Sequence, residues 1–281
     1  MLALISSPLP WTGTKAFSFI GYSLGGGISA AFTSYFPSLV SSLVLIAPSG
    51  VIREKHITNT SRILYRTDGI LPETLINYLV YRRLNNNPTP ISQGKKLFTN
   101  TRTTQNAAIV TEPPRSHPLS TPEDAVVAET GNAPVVGDPQ ALFPQRPWVT
   151  VAGAAQWQID HHKGFIPSFV SSIRYAPVTR QHDRWSIIGA RLSTQKANSA
   201  DKQAQELGLV PSKVLVIIGE QDPVVIAEEV MEDTSAAFGS ENVEFVLLPA
   251  GHEVPVTRSK KVVDTVLEFW GQPELGRAVG V

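Results

Sequence analysis

The sequence predicts an α/β fold in which buried parallel strands alternate with helices. Two short apolar runs lie near the start of the chain and two near its end, and each one ends at or just before a glycine or proline. Runs of this kind are typical of strands that are covered on both faces of a sheet. They are AFSFIG at 16–21, LVLIA at 43–47, VLVIIG at 214–219 and VEFVLL at 243–248. Helical patterns follow three of these runs, at 24–35, 225–238 and 260–270, which predicts a doubly wound parallel sheet with flanking helices.

The chain divides into two core segments with an insertion between them. We expect the first part of the core at 1–50, a cap insertion at 51–210, and the second part of the core at 211–281. The apolar runs of the sheet all fall in the two core segments, whereas the insertion has a different composition. No internal repeat is visible along the chain.

The expected cap mixes helical and irregular stretches. Helical patterns occur at 71–84 and 156–175, and Pro167 inside the second pattern predicts a kink or a break. Residues 111–147 contain eight prolines, together with many Thr, Ser, Glu and Gly residues and few aromatic ones. Because such a composition buries too little apolar surface to order a chain, we expect a disordered or extended loop there.

The composition excludes several classes of function. Lys and Arg total 24, Asp and Glu total 24, and the formal net charge is zero. The chain therefore lacks the basic surplus of a protein that binds nucleic acid or an anionic membrane, and a small-molecule partner is expected. It contains no cysteine, which excludes disulfides, thiol catalysis and thiolate metal ligation. The oligomeric state is left open.

Neither a targeting segment nor a metal site is predicted. The start of the chain, MLALISSPLPW, is apolar but lacks the basic residues of a signal peptide, and no apolar run reaches membrane length. We therefore expect a soluble, cytoplasmic protein. Asp160, His161 and His162 are adjacent, but neighbouring histidines on a helix point in different directions, and no third ligand is spaced to join them. No metal and no cofactor are expected.

The first candidate catalytic motif lies where the first strand becomes a helix. Residues 21–25 read GYSLG and match the pattern G-x-S-x-G, which places a serine at a sharp turn from strand to helix. Such a turn strains the backbone of Ser23, and side chains two residues to either side are expected to collide, which explains Gly21 and Gly25. The amide of Leu24 begins the helix and is expected to donate to an oxyanion, helped by the positive helix N-terminus.

A serine nucleophile needs a base that is held in place by an acid, and candidates for both follow late strands. Asp222 comes directly after the run at 214–219, and His252 comes shortly after the run at 243–248. Both therefore belong at the carboxyl ends of strands, where open α/β sheets place their sites. Two alternatives stay open, since an Asp before a proline commonly forms a turn and a lone histidine is more often a surface residue. Glu220 is a second candidate for the acid.

These motifs resemble those of the α/β-hydrolase-fold serine hydrolases, which include esterases and lipases with a cap insertion. The matching segments are GYSLGG, LVLIAPSG, VLVIIGEQDPVV and LLPAGHEVP, and they cover less than half of the chain. The resemblance implies that Ser23 is the nucleophile, Asp222 the orienting acid and His252 the general base. It also implies a tetrahedral intermediate, an acyl-enzyme and hydrolysis of a small, apolar carboxylic ester.

Three aromatic residues are candidates for contact with such a substrate. Tyr22 precedes the serine, while Phe165 and Phe169 share helix-like spacing with Ile166 and Ile173 in the expected cap. Packing inside the cap is the alternative for the two phenylalanines.

The position of the serine departs from the family pattern. In the family the elbow follows the fifth strand, whereas Ser23 lies near the start of this sequence. The resemblance therefore implies a partial fold, with strands equivalent to the fifth to the eighth and an N-terminal truncation. It also implies that the loop supplying a second oxyanion amide is missing, and that the strand at 16–21 is an exposed apolar edge. A truncated product or gene model, a chain completed by another polypeptide, and an inactive relative are three explanations that stay open.

Overall fold

Six strands are present in the part of the chain that the structure describes. The computed structural model describes residues 16–57, 59–85, 141–143, 145–197, 209 and 213–271. The strands are β1 (Phe17–Tyr22), β2 (Val40–Ile46), β3 (Ala141–Phe143), β4 (Arg146–Thr150), β5 (Val214–Gly219) and β6 (Val243–Leu248). Four of them form a parallel sheet in the order β1-β2-β5-β6, and β3 pairs with β4 in a separate antiparallel hairpin. The predicted α/β fold with a parallel sheet is confirmed.

Helices connect the strands and form the cap. They are α1 (Leu24–Tyr35), α2 (Asn59–Leu64), α3 (Glu73–Asn85), α4 (Val151–His161), α5 (Phe165–Tyr175), α6 (His182–Ala197), α7 (Ala227–Phe238), α8 (Val254–Thr257) and α9 (Ser259–Phe269). Short 3-10 turns lie at Pro37–Leu39, Glu54–His56 and Ser240–Asn242. None of the helices in the described ranges is long and apolar enough to cross a membrane.

Helices cover both faces of the parallel sheet, which explains the unbroken apolar runs of its central strands. Alternate residues of β2 and β5 enter two separate clusters, as the two-residue period of a strand requires. Leu43 and Leu45 pack with α1, α6 and α7 on one face, while Val44 and Ile46 pack with α9 on the other. All six residues of β5 are buried, so this central strand has no polar side.

Helix α6 falls inside the expected cap at 51–210, but it packs against the sheet and α7 in the core. Its Trp185 is fully buried and stacks on Phe238 of α7, with ring centroids 5.0 Å apart. A Cβ at Gly189 would lie 2.4 Å from the carbonyl oxygen of Phe238, so only a glycine allows the two helices to approach this closely. The sequence does not indicate that α6 is part of the core, because the helix is largely polar and only one of its faces is apolar.

Helices α3, α4 and α5 form a small apolar cluster of their own. The predicted helical stretch at 156–175 is two helices, α4 and α5, with a break between His161 and Phe165. Pro167 lies in the first turn of α5, where a missing backbone N–H is tolerated. The break that Pro167 predicts is therefore present, but it precedes the proline by several residues.

The hairpin of β3 and β4 corrects part of the predicted loop. Residues 141–143 and 145–147 of the stretch expected to be irregular belong to this hairpin, while 111–140 lie outside the described residues. The sequence there contains Phe143, Trp148 and Val149, which favour strands, and the surrounding prolines obscured that signal.

The two ends of the insertion meet at Gly50, just after β2. The Gly50 amide donates to the carbonyl of Val178 (2.8 Å), and the Gly50 carbonyl accepts from the amide of Gln181 (3.0 Å). Gly50 has a φ of 124°, and a Cβ there would lie 2.8 Å from Trp185. Only a glycine combines this backbone conformation with this packing.

Strand β1 lies at one edge of the sheet. Among the described residues its one strand neighbour is β2, and Ile20 is 50% exposed. Phe17 and Phe19 are partly buried and pack against Phe32 of α1. An apolar strand is thus at the edge in the described part of the chain, while residues 1–15 lie outside it.

Candidate active site

Ser23 occupies a strained turn between β1 and α1. Its φ of 51° and ψ of −119° are values that a residue with a side chain rarely adopts. Backbone hydrogen bonds hold it there: its amide donates to Ile46, and its carbonyl accepts from Gly26 and Ser49, each at 2.9 Å. The turn is therefore fixed by β2 and by the segment that follows β2.

The glycines around Ser23 differ in how much space surrounds them. A Cβ at Gly21 would lie 2.4 Å from the Ser29 hydroxyl and 2.5 Å from the carbonyl of Gly25, so a side chain is excluded there. A Cβ at Gly25 would meet nothing within 4 Å, so the expected collision at that position is wrong. Gly26 and Gly27 are the crowded positions on the helix side, because a Cβ would lie 2.6 Å from Pro48 at the first and 2.7 Å from the carbonyl oxygen of Pro177 at the second.

His252 joins the serine and the aspartate. Its Nε2 lies 2.9 Å from the Ser23 hydroxyl, and its Nδ1 lies 2.8 Å from Oδ2 of Asp222. Since a carboxylate only accepts, Nδ1 carries the proton and Nε2 accepts from the serine. His252 is 3% exposed, so this proton path is largely shielded from water.

Asp222 is a buried carboxylate whose hydrogen bonds are satisfied on both oxygens. While Oδ2 faces His252, Oδ1 accepts from the amides of Val224 and Val225, both at 2.8 Å. These bonds offset the cost of burying the charge and fix the orientation of the carboxylate. Glu220, the other candidate acid, is exposed.

The comparisons with known proteins identify the family of the chain. The sequence model of the α/β hydrolase fold family matches residues 12–259. The chain belongs to the α/β hydrolase fold family. Because the match begins at residue 12 and runs through both core segments, it does not support the expected partial fold. No curated protein matches the chain.

Solved structures with a similar fold include three hydrolases from microorganisms. A meta-cleavage product hydrolase from Pseudomonas fluorescens is 14% identical, with a TM-score of 0.41, and the match covers 91% of this chain and 65% of the other. A 2-hydroxy-6-oxo-6-phenylhexa-2,4-dienoate hydrolase from Rhodococcus is 13% identical, with a TM-score of 0.45 and coverages of 91% and 64%. A carboxylesterase from Nitrososphaera gargenis is 17% identical, with a TM-score of 0.38 and coverages of 91% and 65%. The chain thus spans just under two thirds of the length of these structures, and likenesses this distant say nothing about its substrate.

Leu24, the candidate oxyanion donor, lies at the start of α1. It is the first residue of α1, and the first amides of a helix have no partner inside the helix. Its amide therefore lies beside Ser23 at the positive end of the helix dipole, where negative charge is stabilised.

The three candidate substrate contacts lie in two places. Phe165 and Phe169 lie on α5, where they pack against the apolar cluster of α3, α4 and α5, as the packing alternative expects. Tyr22 lies beside His252, with ring centroids 5.4 Å apart, and its hydroxyl donates to the His252 carbonyl (3.1 Å). The structure thus joins Tyr22 to the histidine, whereas the two phenylalanines belong to the cap.

A charged cluster that the sequence did not reveal ties the start of the insertion to α7. Arg53 donates to Asp233 (2.8 Å) and Glu232 (2.5 Å), while Lys55 and His56 contact Glu229 at 2.5 and 2.8 Å. Burial raises the pKa of Glu229, but the hydrogen bonds from Lys55 and His56 together lower it further, so the net effect is a pKa below the usual value. No spacing in the sequence indicates these pairs, because the partners are more than 170 residues apart.

No group of three or more His, Asp or Glu side chains in the described ranges is arranged to hold a metal ion. His161 instead contacts the carbonyl of Trp157, one turn earlier on α4, and stacks on its ring.

Proposed function

We propose that this chain is a serine hydrolase that cleaves a small, apolar carboxylic ester through an acyl-enzyme intermediate. The observation that supports this most is the continuous hydrogen-bonded path from the Ser23 hydroxyl through His252 to the buried Asp222. A serine hydroxyl at neutral pH is a poor nucleophile unless a base removes its proton, and His252 is at the distance that this transfer requires.

The proposed reaction begins with attack by the Ser23 oxygen on the ester carbonyl, while His252 Nε2 takes the hydroxyl proton. Asp222 remains ionised and stabilises the imidazolium that forms. The Leu24 amide donates to the oxyanion of the tetrahedral intermediate. His252 then returns the proton to the leaving alcohol, which leaves the acyl group on Ser23. Water, activated by His252, releases the acid and restores the serine.

The substrate class rests on the sequence and the cap. The chain has no net charge, and the cap helices α3–α5 have an apolar cluster whose partly buried members include Phe165 and Phe169. A cap of this composition favours an apolar acyl group over a charged one. The expected location in the cytoplasm stays a prediction.

A second candidate is a hydrolase-like chain with weak or no activity. It is favoured by the single oxyanion donor, Leu24, that we identify in the described residues, since loss of one such donor costs about 10²- to 10³-fold in rate. The position of β1 at the edge of the described sheet also favours this second candidate.

Labelling with a fluorophosphonate probe tests the proposal, because the probe reacts only with an activated serine. We expect the wild type to be labelled and Ser23→Ala to lose the label. Ser168→Ala is the matched control, since Ser168 is exposed on α5 and its replacement should leave labelling unchanged. p-Nitrophenyl esters with short to long acyl chains then define the acyl preference.

Two results would contradict the proposal. Labelling that persists in Ser23→Ala would place the reactive serine elsewhere. Folded wild-type protein that takes no label would instead favour the inactive candidate.

A further inference from the structure

Tyr22 joins the strand that carries the nucleophile to the loop that carries the base. It is the last residue of β1 and directly precedes Ser23. Its hydroxyl donates to the backbone carbonyl of His252 at 3.1 Å, and its ring lies 5.4 Å from the imidazole, tilted by 38°. One side chain thus contacts both the main chain and the ring of the histidine.

Two other contacts of the histidine loop lead towards the acid. The carbonyl of Ala250 accepts from the amide of Gln221, which holds the loop against the turn that carries Asp222. The absence of a side chain at Gly219 allows the carbonyls of Ala250 and Gly251 to approach within 2.4 Å of where a Cβ would lie. Both contacts fix the base relative to the acid, and neither fixes it relative to the nucleophile.

Tyr22 is partly buried and is also in contact with the sheet. It is the last residue of β1 and packs against the apolar clusters on both faces of the sheet, so its ring is anchored to the strand that leads into Ser23. A hydrogen bond from a ring anchored in this way restrains the His252 backbone in the frame of β1 and Ser23.

We propose that Tyr22 is a positioning residue, which holds His252 Nε2 at the distance that proton transfer from Ser23 requires. This proposal rests on the proposed function, and it replaces the expected role of Tyr22 as a substrate contact. Because it concerns the geometry of the base, Tyr22 acts on acylation and not on substrate binding.

Tyr22→Phe tests this by removing one oxygen and keeping the ring. We expect the rate of fluorophosphonate labelling to fall about tenfold, less than the 10²-fold that a 1 Å misplacement can cost. With an ester substrate, kcat should fall while KM stays within about twofold of the wild type. Tyr35→Phe is the control, because Tyr35 is exposed and its ring contacts Arg184, and it should label at the wild-type rate.

A structural readout keeps the test independent of activity. A proton–nitrogen correlation spectrum of the histidine rings reports which nitrogen of each imidazole carries the proton, and His252→Gln identifies the signal among the six histidines. The wild type should show His252 as one tautomer with the proton on Nδ1. Tyr22→Phe should broaden this signal or mix the tautomers, while thermal unfolding shows that the variant is folded.

The outcomes separate the proposals. If Tyr22→Phe labels at the wild-type rate and its His252 signal is unchanged, Tyr22 does not position the base. A rise in KM at unchanged kcat would mean that the phenol contacts substrate, and would also overturn the proposal. If the wild type takes no label, the proposed function fails, and the His252 signal alone decides whether Tyr22 holds the histidine.

Discussion

The carboxylate of Asp222 serves two purposes, one on each oxygen. Oδ1 accepts from the amides of Val224 and Val225 and so closes the turn after β5, whereas Oδ2 faces His252. The two roles that the sequence left open for this residue, turn former and orienting acid, are therefore compatible in one side chain. The turn bonds hold Oδ1 and so favour the orientation in which Oδ2 faces the histidine.

Asp222→Asn should abolish most of the activity without unfolding the protein. An amide nitrogen facing Nδ1 would favour the tautomer with the proton on Nε2, and that nitrogen could then no longer accept from Ser23. We expect a loss of about 10⁴-fold in kcat, measured by ester hydrolysis.

Glu220→Gln is the matched control for this substitution. Glu220 lies two residues earlier in the same turn, but its side chain is exposed, so activity should stay within about twofold of wild type. A comparable loss in both variants would mean that the turn, and not the Asp222 carboxylate, determines the activity.

Among the contacts of single residues at the site, some could be predicted from the sequence and others could not. The order Ser23, Asp222, His252 predicts which strand ends must meet, and the structure brings all three side chains within hydrogen-bond distance. The bond from Tyr22 to His252 spans 230 residues and depends on the register of β1 against β2 and the path of one loop. No local sequence pattern predicts such a contact.

At the scale of elements, β1 and α1 depend on glycines that are not equivalent. Gly21, at the end of β1, has the Ser29 hydroxyl where a side chain would lie, and Gly25, in the first turn of α1, has open space. The G-x-S-x-G pattern therefore combines one steric requirement with one position that tolerates a methyl group.

Alanine substitutions at the two glycines should give opposite results. Gly21→Ala forces α1 away from β1 and should lower the free energy of unfolding by about 1 to 3 kcal/mol. Gly25→Ala should leave it unchanged or raise it by up to about 1 kcal/mol, because alanine favours a helix. Urea denaturation of both variants measures the difference, and equal losses would show that the crowding at Gly21 is relieved in solution.

Elements whose signal is local were predicted well. The runs at 214–219 and 243–248 coincide with β5 and β6, because apolar residues fill them and turn residues bound them. Helix α1 also coincides with the predicted range. The hairpin of β3 and β4 was missed, since three to five residues among prolines give too short a pattern, and the core position of α6 depends on partners far away in the chain.

At the scale of the whole molecule, charge ties the insertion to the core. Shortly after β2, three basic side chains pair with three carboxylates on α7, the helix after the Asp222 turn; they are Arg53, Lys55 and His56. The pKa of Glu229 lies below its ordinary value of 4.5 because these partners outweigh the effect of burial. A carboxyl group whose pKa is lowered in the folded state stabilises that state above the unfolded pKa, and this contribution is lost as the pH falls through the folded pKa.

Glu229→Gln should therefore lower the free energy of unfolding at neutral pH, and this loss should become smaller in acid. We expect a loss of up to about 1 kcal/mol at pH 7, and the gap to the wild type should close as the pH falls below 4.5. Chemical denaturation at a series of pH values measures this. Glu228→Gln, which removes an exposed carboxylate from the same helix, should give a smaller effect, and a gap that persists in acid would show that Glu229 acts through packing and not charge.

The hydrogen bonds on both sides of Gly50 make the insertion a closed loop in the thermodynamic sense. Its two ends are fixed at one point of the core, so the entropic cost of closing the segment between them rises only with the logarithm of its length. Each doubling of that length costs about 0.6 kcal/mol, less than the loss from one badly packed core residue. The part of the insertion at 57–177, beyond the residues that pair with α7, can therefore change in length while the sheet and its serine remain in place, so new specificity can evolve in the cap at little cost to folding.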